Sequence, residues 1–177
     1  PSKLKSGDTI YAIAPASSFA TMKPSNLKKI FKTKMKKELG LNVTFGKNVF
    51  KEDSFGSSSI KERVHDIHSA FKDKKIKGIV CLRGGFNSNV LLPFLDWSVI
   101  KNNPKPIWGY SDITVLLNAI YAKTGVITYS GPMVREVTIN DNEKITKYIF
   151  EYFKKCIMND NPFIVKPAEY FYERKIK

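Results

Sequence analysis

Three short segments carry the residues from which a reaction could be built: Pro15-Ala16-Ser17-Ser18, Arg83-Gly84-Gly85 and Trp108-Gly109-Tyr110-Ser111-Asp112. The third is the most informative. A serine two residues after a glycine, between an apolar run and a helical pattern, resembles the sharp turn that projects a nucleophilic hydroxyl over a site. A helix N-terminus behind it would stabilise developing negative charge. The common form of that turn, G-x-S-x-G, has a second glycine where this chain has Ile113. On spacing alone Ser111 reads first as a helix N-cap, with the nucleophile as the sharper alternative. Likewise Arg83-Gly84-Gly85 is either a tight turn that needs positive φ or a pair of backbone N–H donors facing an oxyanion. Ser17 and its neighbours form either one wall of the same cleft or an ordinary loop.

Other chemistries find less support. His65 and His68 are the only histidines and share one helix flank, with no further ligands nominated to complete a metal site. Neither lies at the end of a strand, where a base for Ser111 belongs. The P-loop and dinucleotide-binding glycine patterns do not occur. The two cysteines, Cys81 in an apolar run and Cys156 in a helical pattern, read as buried thiols rather than as a disulfide framework.

The elements that must position these residues alternate between strand-like and helix-like patterns, which predicts a parallel sheet covered by helices. Strands are expected over 9–14, 41–45, 76–82, 106–110 and 126–129. Helices are expected over 24–39 (stopped by Gly40), 60–73 (with N-caps available among Ser57, Ser58 and Ser59), 112–123 (stopped by Gly125) and Glu143–Met158. A short helical segment near 90–95 and a turn around Asn102-Asn103-Pro104 separate the third and fourth strands. The expected class is α/β, an open and mostly parallel sheet with helices on both faces, Rossmann-like or flavodoxin-like. Functional loops in such sheets lie beyond the carboxyl ends of the strands, where all three segments fall.

Charge is the odd feature of the composition. The 177 residues hold 30 Lys and Arg against 16 Asp and Glu, a formal charge of +14. Residues 1–50 alone contribute +8, with Lys28, Lys29, Lys32, Lys34, Lys36 and Lys37 crowded on one helix. A polyanion-binding module is one reading of that run. Only four of the basic residues are arginines, however, and Arg is the usual bidentate reader of phosphates and bases. A lysine-coated solvent face is the better reading, with neither nucleic acid nor membrane as a partner. No apolar stretch approaches the roughly 20 residues that span a bilayer, and no leader pattern opens the chain, so the expectation is a cytoplasmic protein.

Taken in order, Gly78-Ile79-Val80-Cys81-Leu82-Arg83-Gly84-Gly85-Phe86-Asn87-Ser88-Asn89, then Leu91-Leu92-Pro93, then Gly109-Tyr110-Ser111-Asp112-Ile113-Thr114, then Ser130-Gly131-Pro132 resemble the LD-carboxypeptidase serine peptidases. Asn-Ser-Asn after the glycines is closer to the microcin C self-immunity branch than to the murein tetrapeptide branch. Gly7-Asp8 and Ile13-Ala14-Pro15-Ala16-Ser17 fit as well. The resemblance implies Ser111 as nucleophile, the backbone N–H groups of Asp112 and Gly85 as oxyanion donors, and Gly84, Asn87 and Ser17 as substrate contacts. It implies amide hydrolysis through an acyl-serine, no cofactor, and a peptide or a peptidyl or aminoacyl nucleotide as substrate. It also implies a homodimer for the full-length protein. In that family the Glu and His that complete the triad reside in a second domain, so residues 1–158 are expected to be the nucleophile domain. Residues 159–177 are then a linker toward a domain outside this chain, and the fragment alone is inactive. Glu136, His65 and His68 match no family position and are not substitutes. The alternatives are a non-catalytic domain binding a small anion or peptide and a muramoyltetrapeptide carboxypeptidase.

Overall fold

The computed structural model describes residues 1–20, 22, 26–139 and 142–169. Five strands form one parallel sheet: β1 (Thr9–Ile13), β2 (Asn42–Phe45), β3 (Ile76–Cys81), β4 (Ile107–Gly109) and β5 (Tyr129–Ser130), in the order β2-β1-β3-β4-β5. The central strands are apolar on both sides because both faces are covered. Ile10, Ala12, Val80 and Trp108 point into one hydrophobic layer with helices α1 (Leu27–Leu39), α5 (Val134–Ile139) and α6 (Glu143–Met158). Ile13, Ile79, Cys81 and Ile107 point into the other, with α2 (Ile60–Lys72), α3 (Trp97–Asn102) and α4 (Ile113–Thr124). The expected class therefore holds, and the flavodoxin-type strand order puts its switch point between β1 and β3.

Local chemistry explains most boundaries. Leu27, Phe31, Met35 and Leu39 recur every fourth residue and are all buried, so α1 lays one apolar stripe on the sheet and turns its lysines outward. Its end at Gly40 and that of α4 at Gly125 are left-handed glycine caps, as the stops predicted. Ser59 and Glu62 close a reciprocal capping box at the start of α2. The predicted start of α1 at Pro24 and the last eight residues, 170–177, lie outside the described residues.

The structure corrects the expectation at several points. α3 and α5, each six residues, are additional helices. The first is capped by the Asp96 carboxylate, which accepts from Ser98 N and Val99 N. The second starts from a backbone bond, Arg135 N to Leu82 O at 3.0 Å, that ties it to the end of β3. The segment 89–94 is a 3-10 helix containing Pro93. Residues 126–128, expected as strand, instead lie against α4, with Val126 N donating to Thr124 Oγ1 and Thr128 Oγ1 donating to Leu117 O. Pairing with β4 begins only at Tyr129. Cys81 is fully buried, and burial raises its thiol pKa, whereas Cys156 is partly exposed. Residues 163–166 fold back along α6, where Tyr148 Oη donates to Lys166 O and Lys166 N donates to Tyr152 Oη.

Trp108 is the largest fully buried side chain, on a central strand with its ring 5.1 Å from that of Phe153. Trp108→Ala is expected to cost about 3–5 kcal/mol, read as a lower urea midpoint with an unchanged m-value.

Candidate functional site

The loops leaving β1, β3 and β4 converge at the carboxyl edge of the sheet, on both sides of the switch point. Ser111 lies between the last residue of β4, Gly109, and the first of α4, Ile113. Its φ of 61° makes it the one non-glycine residue with positive φ among those described. A serine gains nothing locally from that backbone, which costs about 1–2 kcal/mol in an L-residue. Gly109 and Ile113 explain how it is held: a Cβ on Gly109 would lie 2.8 Å from Ile113 Cγ2 and 3.1 Å from Cys81 Cβ. The helix is packed too tightly on the strand for a relaxed turn. Ile113 occupies the second-glycine position of the common motif, and there it is a fully buried core residue.

This geometry sets aside the N-cap reading. Asp112, in a right-handed conformation, occupies the cap position of α4, and no side chain caps that helix. The carboxylate of Asp112 turns instead to the neighbouring loop, accepting from Ser88 N at 3.0 Å, while Ser88 Oγ donates to the Asp112 carbonyl at 2.7 Å. Ser88 is wholly buried.

The glycine turn also differs from its simpler reading, since neither Gly84 nor Gly85 has positive φ. They are glycines because of what stands against them. A Cβ on Gly84 would meet Ser111 Oγ at 3.0 Å and Ser111 Cβ at 3.1 Å, and one on Gly85 would meet Ser17 Oγ at 2.6 Å. Backbone thus approaches the serine from β3 as only glycine permits. Among the bonds formed by the described residues, neither the N–H of Gly85 nor that of Asp112 is a donor. The structure therefore brings together Ser111, Asp112, Gly84, Gly85 and Ser17. Asn87 is engaged elsewhere, between Ser57 Oγ and the guanidinium of Arg63, and does not line the cavity.

That cavity has a volume of about 270 Å³ and opens beside Ser111. Of its other walls, Met133 and Arg135 were not singled out in the sequence, Phe86 and Tyr110 stood there only within longer segments, and Glu136 was set aside as matching no family position. Phe86 is 98% exposed, and Glu136 reaches the site because α5, itself missed, begins there. The signal was an acid three residues after Met133, whose N–H donates to Glu136 Oε2 at 3.2 Å. Burial first, then interaction with the neighbouring Glu136 carboxylate, push the Tyr110 pKa up to about 12. Larger hollows of about 560 and 520 Å³ lie along α6 and at the amino ends of the strands. Neither is built from loops at the carboxyl ends of the strands. The histidines serve the fold: His68 Nε2 accepts from Asp96 N at 2.9 Å, and His65 lies beside Asp66. Among the described residues no cluster of three or more His, Cys, Asp or Glu groups could hold a metal, and no helix is long and apolar enough to cross a membrane.

A parallel α/β domain whose switch-point loops enclose a strained serine is the class that fold and site define. Residues 10–131 match the LD-carboxypeptidase N-terminal domain, and the chain belongs to that family. It is 46% identical over 167 residues to the putative carboxypeptidase YocD of Bacillus subtilis, covering 94% of this chain and 50% of that protein. The crystal structure of an MccF-like protein from Bacillus anthracis superposes with a TM-score of 0.83 at 42% identity, over 90% of this chain and 47% of that one. MccF in complex with glutamyl sulfamoyl guanosine gives 0.79 at 33%, over 91% and 47%. The chain thus spans about half the length of the relatives it matches.

Two outcomes follow from the strained turn and its tyrosine. Ser111→Gly is expected to be about 1 kcal/mol more stable than Ser111→Ala in urea unfolding, because only glycine relieves the backbone. In a ¹³C-tyrosine NMR titration, Tyr110 should still be neutral when ordinary tyrosines are half ionised near pH 10. Its share of stability is complete below the unfolded value of 10.0 and is lost as pH rises through about 12. Glu136→Gln should bring the midpoint only part of the way down, since burial is the larger cause.

Proposed function

We propose that this chain carries the nucleophile and oxyanion hole of a serine peptidase or amidase, with Ser111 as the attacking group. The observation that carries the reading is the positive φ of Ser111 at the head of α4, with the Gly84 backbone packed against its side chain. A strained serine with unengaged N–H groups beside it is what acyl transfer needs and what a structural turn does not.

The chemistry runs as follows. Ser111 Oγ attacks the carbonyl carbon of the scissile amide and gives its proton to a base. The oxygen of the tetrahedral intermediate, now negative, is held by the N–H groups of Asp112 and Gly85 and by the amino end of α4. Collapse expels the amine, which takes the proton back from the base, and leaves an acyl-serine that water hydrolyses. The base and its orienting acid are a His and a Glu outside these 177 residues, in the remaining length that the relatives possess. Residues 1–158 form the nucleophile domain and 159–177 lead toward the second. The chain alone is therefore inactive, and the complete enzyme is a cytoplasmic homodimer.

The substrate is an aminoacyl or peptidyl nucleotide. The glutamyl sulfamoyl guanosine bound by the related MccF supports this, as does Asn87-Ser88-Asn89 after the glycines. Phe86, Arg135 and Glu136 at the cavity mouth give such a substrate an apolar, a cationic and an anionic contact.

A fluorophosphonate probe should label a form extended to the length of its relatives, and Ser111→Ala should abolish labelling. The unextended chain should label at least 100-fold more slowly. Hydrolysis of an aminoacyl sulfamoyl nucleotide but not of a murein tetrapeptide fixes the substrate, and the reverse preference selects the murein reading. Absence of any Ser111-dependent amide hydrolysis in the extended form would sink the enzyme reading and leave the binding domain.

A further inference from the structure

Arg63 is 5% exposed, on the first turns of α2, yet it faces neither solvent nor a carboxylate within 4.0 Å among the described residues. Its Nη1 donates to Pro15 O at 2.9 Å, to Asn87 O at 3.1 Å and to Asn87 Oδ1 at 3.1 Å. These acceptors belong to two different loops, one leaving β1 and the other leaving β3. Nε is buried without a partner, so the guanidinium is oriented by the loops and not by its own full satisfaction. Burial lowers its pKa, and the charges of Asp53 and Asp112 act against that shift.

The bond to Asn87 reaches further. Ser88, the next residue, donates from its N–H to Asp112 Oδ2 and from its hydroxyl to the Asp112 carbonyl. A continuous path therefore runs from Arg63 through 87–88 to the residue whose N–H adjoins Ser111. The other arm, through Pro15, ends one residue from Ala16 and two from Ser17, the pair against which Gly85 is packed.

We propose that Arg63 is the positioning residue of this site: by gripping Pro15 and Asn87 at once, it sets the separation of the β1 and β3 loops and the placement of Gly85 and Asp112 about Ser111. A buried guanidinium suits the task because its rigid plane fixes the direction of the Nη1 N–H bonds as well as their reach, which the rotating ammonium of lysine does not. Donors displaced by about 1 Å lose roughly 100-fold in rate while substrate binding is little changed. The proposal rests on the serine-nucleophile reading for its kinetic consequence alone.

The test has two arms. In the 177-residue chain, Arg63→Lys is expected to reduce amide-exchange protection at Ser88 at least tenfold while amides in the middle of α6 keep theirs. A uniform fall in all protected amides, or no change at Ser88, overturns the proposal, since a merely stabilising residue moves every amide together. In the extended protein, Arg63→Lys should lower kcat, or the maximal rate of fluorophosphonate labelling, at least tenfold with KM within threefold. Ser88→Ala, which removes the hydroxyl bond to the Asp112 carbonyl and keeps the N–H bond to its carboxylate, should lower the same rate in the same direction, and it replaces Arg63→Lys should that variant fail to fold. Normal labelling in Ser88→Ala together with normal protection of the Asp112 region overturns the proposal. If the unmodified extended protein does not label at Ser111, the nucleophile reading has failed, and the exchange arm still decides the role of Arg63.

Discussion

The close approach of the β3 backbone to Ser111 is the constraint from which the rest of the site follows. With 3.0 Å between a would-be Gly84 Cβ and Ser111 Oγ, only a glycine at position 84 admits the conformation that the turn after β4 adopts. That conformation is left-handed at a serine, and it persists because tight packing of Gly109 against Ile113 and Cys81 resists relaxation. Parallel pairing of β3 with β4, Ile79 opposite Ile107 and Val80 opposite Trp108, brings the two strand ends level. Fold and site are thus linked by register: a slip of one residue would exchange the side chains that fill the two hydrophobic layers and put the two loops out of step.

The architecture was legible because its signals are local and periodic. The apolar stripe of α1, its glycine stop, the serine cap of α2 and the full extent of α6 all lie in short windows. So does the β-branched and apolar content of β1 and β3. The failures have two causes. α3 and α5 are six residues each, too short for a period to declare itself. Residues 126–128 look like strand by composition, yet they are held by bonds to α4 that composition does not encode.

Within the site the division is similar. Ser111, Gly84 and Gly85 stand out by type and place. Whether the serine caps a helix or strains against a strand depends on φ, which no residue type reveals. Arg63 is the clearest case of invisibility, because its acceptors are 48 and 24 positions away and two of the three are backbone carbonyls. The lysines of α1 err in the other direction. Conspicuous in sequence, they coat a solvent face, where Lys28 lies 4.0 Å over the ring of Phe50 and Lys36 donates to Asn42. Their stems cover apolar surface as much as their heads present charge.

Helix α2 is anchored along its whole length by buried polar groups. Near its amino end Arg63 holds the loops after β1 and β3, and one turn later Asp66 accepts from both the N–H and the side chain of Asn48 in the loop after β2. At its carboxyl end the buried ammonium of Lys105 donates to the carbonyls of Ala70 and Asp73 from the approach to β4. The helix behaves as a strut fastened at both edges of the sheet. Through this one helix, hydrogen bonds tie the amino ends of the strands to the rim that holds Ser111.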